Sequence, residues 1–191
     1  MMAENTSRSN VWKQCALTGV LTAVYLLIAI PFKAISVIPG FTDIRPVMLL
    51  KPVYGVFFGI PGCVAFAIGN LIGDIISDSL RWSSIAGVAA NFLGPFFFYF
   101  FWKRISKTPF SLRTGKTLLT QLIVIVASAV MEAAVLLPAV KLVDPKIDGM
   151  LFAVTVFLNG TMFPLLFGIP LMILMQEELG FKPITKEGGS P

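Results

Sequence analysis

Long apolar runs separated by short polar segments recur along the whole chain, each near the length that a bilayer-crossing helix needs. Six are predicted to be helices: 15–32, 46–58, 63–76, 84–102, 117–140 and 150–175. The first follows Arg8 and Lys13 as the core of a signal peptide would. It is long for such a core, however, and no small-x-small cleavage site comes after it, so it reads as a span. The second is short and carries Pro52 in mid-run, where the missing N–H predicts a kink beside other helices. Gly59, Pro61 and Gly62 predict a tight turn into the third. The expected organisation is a segment 1–14, a six-helix membrane domain 15–176, and a tail 177–191 that is polar and loose from Gly180 onward.

Polar residues interrupt four of these runs: Asn70, Asn91, Glu132 and Asn159. Counted at about 1.5 Å per residue from one end of their helices, all four fall roughly 10–13 Å deep, in one layer. Lys51 and Asp74 come out shallower. Asp43, Arg45, Asp78, Arg81 and Trp82 lie in loops above the same layer. Asparagines in lipid often serve only as glue between helices. An ionised Glu132 is costly there unless a cation, a ligand or a proton compensates it, and Lys51 is the nearest candidate partner. Placement of the whole set toward one end favours a pocket open at that end.

Composition agrees with a membrane domain and narrows its chemistry. Of 191 residues, 56% are hydrophobic and 13% charged, which leaves no room for a separate water-soluble catalytic domain. The net charge of +5 does not mark a nucleic-acid binder, because the basic residues flank apolar runs instead of forming a stripe with aromatics between them. Assigned to alternating loops, they fall nine on one side and five on the other, with Lys51 inside a span. The bias places both termini in the cytoplasm, chiefly through Lys103, Arg104, Lys107, Arg113 and Lys116. Tyr99, Trp102 and Trp82 are expected in interfacial belts. Cys15 and Cys63 form no CxxC or zinc pattern and read as small, reduced core residues.

No histidine is present, which removes Ser-His-Asp and Cys-His catalysis and histidine-bound metals. No Walker-type phosphate loop occurs, so any ATP-driven step needs another chain. No cofactor and no metal site are expected. Ala16, Gly19 and Ala23 form a small-residue stripe on the first helix that suits close approach of another helix, either within the bundle or from a separate subunit.

The stretch Phe41-Thr-Asp-Ile-Arg-Pro46, then Pro52, Gly55, Phe58-Gly59, Pro61-Gly62, Gly69-Asn-Leu-Ile-Gly-Asp74 and Ala90-Asn-Phe-Leu-Gly94, resembles the substrate-binding S components of energy-coupling factor vitamin transporters. The likeness in span number and topology covers about residues 12–178, with the motif-like part at 41–104. It implies capture of a vitamin or related micronutrient from outside a prokaryotic plasma membrane, at a pocket built by the first loop and the outer parts of helices 4 to 6. Asn91, Glu132 and Asn159 fall there, with Asp43, Arg45, Lys51, Asn70, Arg81 and Trp82 around them. Asn70 and Asp74 have an alternative role in shaping the end of the third helix, with Asp74 accepting from backbone donors of the next loop. The resemblance also implies docking through Ala16, Gly19 and Ala23 onto a membrane coupling subunit driven by two cytoplasmic ATPases. Two other classes remain open: a proton- or ion-coupled carrier working alone through Glu132, and a membrane enzyme with Glu132 as an unsupported base.

Overall fold

A computed structural model describes residues 2–39, 41–106 and 110–184, giving only the backbone for 2–10. Lys107 and Lys186, which contribute to the charge bias, lie outside the described residues. The chain is mostly helical, and five helical stretches are long and apolar enough to cross a membrane: Val11–Phe32, Pro46–Ile76, Ser83–Ile105, Gly115–Val143 and Gly149–Glu177. They suggest a membrane-embedded protein.

Helix α1 (Met2–Phe32) leads into a small hairpin of β1 (Ser36–Ile38) and β2 (Thr42–Asp43), which the apolar pattern did not predict. Next come a 3₁₀ turn (Pro46–Leu49), the short helix α2 (Leu50–Val53) and a π turn (Tyr54–Phe58). Helix α3 (Gly59–Ile76) follows without a linker, so the helical stretch 46–76 is continuous in sequence but not straight. Gly59 has φ +58°, a conformation that glycine adopts without a Cβ penalty, and the chain doubles back there. The reversal brings the Gly62 backbone against the Tyr54 carbonyl and sets the Tyr54 and Phe66 rings 6.0 Å apart, twelve residues along the chain. The turn is therefore tighter than predicted: Pro61 and Gly62 belong to the first turn of α3, where a missing proline N–H costs nothing.

Helix α4 (Ser83–Phe100) ends in a π turn (Phe101–Ile105), α5 spans Gly115–Val143, and α6 (Gly149–Phe163) continues through a π turn (Pro164–Gly168) into α7 (Ile169–Glu177). Asp148 caps α6 by accepting from Met150 N (2.9 Å) and Leu151 N (3.1 Å). The core is aromatic. Tyr25 meets Phe66 edge-on at 4.8 Å, and the Tyr54 hydroxyl donates to the Leu21 carbonyl of α1 at 2.7 Å. Leu21, Tyr25 and Ala29 recur every four residues on the buried face of α1, whereas Ala16, Gly19 and Ala23 lie on its exposed face.

Near the Gly59 end, three expectations change. Trp102 is not interfacial: it is 1% exposed, donates to Gln121 Oε1 at 2.8 Å and packs on Phe110. The indole N–H had a buried amide to meet, and this favoured the interior. The start of the tail is not loose. Phe181 packs edge-on against Phe57 and Phe58, and Ile184 N–H donates to the Val56 carbonyl at 2.8 Å. Cys63 is buried as expected, but Cys15 is exposed on α1. Arg113 and Glu177 pair through two contacts of 2.6 and 3.1 Å, joining the loop before α5 to the end of α7.

Candidate functional site

At the opposite end, a cavity of about 420 Å³ opens between the helices under the β1–β2 hairpin. Helical spacing explains how its walls arise. Asn70 and Asp74 line it from α3, Ser77 from just past the end of that helix, and Gly87, Ala90 and Asn91 from α4. Glu132, Leu136 and Val140, each four residues apart, face it from α5, with Phe152, Val156 and Asn159 on α6. Polar side chains dominate the α3 contribution, while α5 and α6 add apolar ones beside Glu132 and Asn159, in a volume suited to a small organic molecule.

Asn159 is fully engaged by the loop over the cavity. Its Oδ1 accepts from Arg45 N at 3.0 Å, and its Nδ2 donates to the Asp43 carbonyl at 2.8 Å. Arg45 is the hub of the polar wall. It donates to Asn70 Oδ1, reaches the Tyr25 hydroxyl at 3.4 Å and pairs with Asp43 at 3.4 Å. Burial works against its charge, but Tyr25, Asp43, Asp74 and Glu132 outweigh that effect and raise its pKa above the ordinary arginine value. Asn70 continues the chain of contacts by donating to Asp74 Oδ2 at 3.4 Å, and Lys33 pairs with Asp74 Oδ1. The Asp74 carboxylate therefore takes a lysine and an asparagine, not the backbone donors of the next loop. Arg81 lies 4.7 Å over the Phe41 ring. Trp82, in contrast, is 83% exposed and does not line the cavity.

Beneath this network lies an ion pair. Lys51 Nζ and Glu132 Oε2 are 2.9 Å apart, with both residues buried. Lys51 is not shallower than the asparagine layer: its Cδ lies against Gly94, one turn beyond Asn91 and away from the cavity mouth. Gly94 leaves the space for this pair, since a Cβ there would sit 2.2 Å from Glu132 Oε1 and 2.8 Å from Lys51 Cδ.

Two acceptors on residues of the cavity lining, Glu132 Oε1 and Asn91 Oδ1, are enclosed and receive no hydrogen bond among the described residues, and both residues are 3% exposed. Asn91 uses its other end locally, donating to the Gly87 carbonyl at 2.7 Å. Buried acceptors are costly when left unmet.

Sequence reading did not single out Tyr25 or, as part of the site, Lys33. Tyr25 lies on the buried face of α1 and Lys33, just past the helix end, continues its four-residue spacing, and that periodicity was the available signal. Among the described residues there is no cluster of three or more His, Cys, Asp or Glu side chains able to hold a metal ion. Comparison with protein-family models, curated proteins and solved structures matches nothing to this chain.

Proposed function

We propose that this chain is the substrate-capture subunit of an energy-coupling-factor type importer, holding a vitamin or related micronutrient for delivery to an ATP-driven module. The observation that carries the reading is the cavity itself. It is lined by polar side chains from α3 to α6 and roofed by a loop that Asn159 pins. Binding there lowers a ligand's free energy by polar pairing and apolar enclosure without any chemistry on it.

The reversal at Gly59 supports six passages between the two ends of the bundle, 46–58 being the short one. With basic Lys103, Arg104, Arg113 and Lys116 near the Gly59 end, the positive-inside bias supports a cytoplasmic position for that end and an outward-facing cavity. The exposed stripe Ala16, Gly19 and Ala23 supports docking onto a membrane coupling subunit, itself served by two cytoplasmic ATPases. A Cβ at Gly19 would meet nothing within 4 Å.

The buried Lys51–Glu132 pair also suits a second reading, a stand-alone proton- or ion-coupled carrier. Native mass spectrometry of gently purified protein should reveal one retained small molecule, and uptake of that molecule into liposomes should require coupling and ATPase subunits. Uptake driven by a pH gradient with this chain alone would replace the importer reading with the carrier. Absence of any bound molecule across purifications from its native host would remove the capture role.

A further inference from the structure

What the cavity recognises follows from the polar atoms that its lining leaves unspent, an inference that rests on the capture reading above. Its acceptors are largely taken or closed off. Asp74 uses one carboxylate oxygen for Lys33 and the other for Asn70, Asp43 pairs with Arg45, and the side-chain carbonyls of Asn70 and Asn159 both accept from Arg45. Glu132 Oε1 and Asn91 Oδ1 are enclosed. Asp78 is the lining carboxylate that no described cation pairs with.

Donors, in contrast, remain open. Arg45 spends Nε on Asp43 and Nη2 on Asn70 and Tyr25, while Nη1 meets no described acceptor and is not enclosed. Lys33 gives Asp74 one of the N–H groups of its ammonium and keeps the others. Arg81 has spent the least. Its main-chain N–H donates to Ser84 Oγ at 3.1 Å, but no described carboxylate pairs with its guanidinium. The guanidinium carbon instead lies 4.7 Å over the ring of Phe41, a cavity-lining residue in the turn between β1 and β2. An aromatic ring attracts a guanidinium through its π face and accepts none of the five N–H groups in the guanidinium plane, so Arg81 is tied to the roof with its donors unused.

We infer that the cavity takes a ligand with an oxyanion head, a carboxylate or phosphate, which Arg81 holds beneath the hairpin with the open donors of Arg45 and Lys33 around it. The planar fork of a guanidinium matches such a head and makes Arg81 the residue that sets specificity. Asp78 opposes the anion from the turn after α3, but no described contact fixes its carboxylate, whereas Phe41 fixes Arg81. The rest of the ligand lies along Leu136, Val140, Phe152 and Val156, which suits an apolar or ring-bearing body.

Benzoate, benzamide and benzamidine share a ring and a planar head but carry negative, no and positive charge, so they separate the chemistries. Ligand-observed saturation-transfer NMR on the full chain in neutral detergent, with empty micelles subtracted, should show benzoate binding at least about tenfold tighter than either of the others. Phenylphosphonate, run alongside, tells the two heads apart: binding tighter than benzoate assigns a phosphate, weaker binding a carboxylate. Arg81→Gln should remove most of the preference for the anion. If that variant does not fold, Arg81→Lys keeps the charge without the fork and should already weaken benzoate by about threefold. Asp78→Asn removes the opposing charge and should leave benzoate as tight or tighter. Equal binding of the three probes, a benzamidine preference, no binding of either anion, a preference unchanged in the folded Arg81 variants, or weaker benzoate in Asp78→Asn would each overturn the inference. These readouts need no partner subunit, so a loss of the importer reading in the liposome experiment would leave them standing, and the reverse also holds.

Discussion

Replacing Lys51 with Met removes one member of an ion pair whose two residues are 0% and 3% exposed and whose atoms are 2.9 Å apart. Glu132 Oε1 has no protein donor, so once Lys51 is gone the carboxylate keeps no described hydrogen-bond partner. Stranding one charge of a buried pair costs about 3–5 kcal/mol, whereas exchanging both charges for apolar groups of similar size is often near neutral. Lys51→Met and Glu132→Leu should therefore each lower the melting temperature by on the order of 10 °C, at roughly 2–4 °C per kcal/mol for a chain of this size. The double variant should melt well above either single one. The assay is thermal unfolding of the purified chain and its three variants in one detergent, read as a double-mutant cycle with a coupling of at least about 2 kcal/mol. Single losses of less than about 1 kcal/mol, or a double loss equal to the sum of the singles, would show that the two charges do not depend on each other.

Gly94→Ala should be nearly as destabilising, because its Cβ would meet Glu132 Oε1 at 2.2 Å, while Gly19→Ala, facing open space, should melt like the parent. Equal melting of the two variants would remove the Gly94 contact from the account. Asn159→Leu deletes two hydrogen bonds to the loop backbone, each worth about 1 kcal/mol. Amide exchange should then accelerate over 41–45 with little change in the core, and an unaltered loop would mean that it is held by other contacts. Cys15 should react with maleimide in micelles while Cys63 stays protected until the chain unfolds, a difference that mass spectrometry of labelled peptides resolves.

The positions of the long helices were legible because lipid allows so few backbone solutions: an apolar run of sufficient length has to become a helix. What pattern alone did not carry was local competition. Trp102 reads as a belt residue until Gln121, nineteen positions later, is seen to offer its N–H a buried acceptor. Phe181 and Ile184 read as part of a polar tail because Lys182 and the glycines that follow dominate the composition there. Their partners, Phe57, Phe58 and the Val56 carbonyl, are brought to that spot only by the reversal at Gly59. A single positive φ thus decides both the path of the stretch 46–76 and the surface on which the tail lands.

The same competition separates the four polar residues that depth alone had made equivalent. All four line one cavity, yet they differ in how much hydrogen-bonding capacity the protein itself has consumed. Asn159 has spent both ends on the loop and acts as its latch. Asn70 is drawn between Arg45 and Asp74 and acts as a spacer in a charged network. Asn91 and Glu132 have each spent one end, on the Gly87 carbonyl and on Lys51, and each leaves one enclosed acceptor that no described group meets. Depth can be computed from sequence because rise per residue is nearly constant. Residual valence cannot, because it depends on which partner arrives first at each atom, and Lys51 reaches Glu132 from 81 residues away. Two residues of similar depth and burial can therefore differ completely in what changing them disturbs: the loop for Asn159, the Lys51 pair for Glu132.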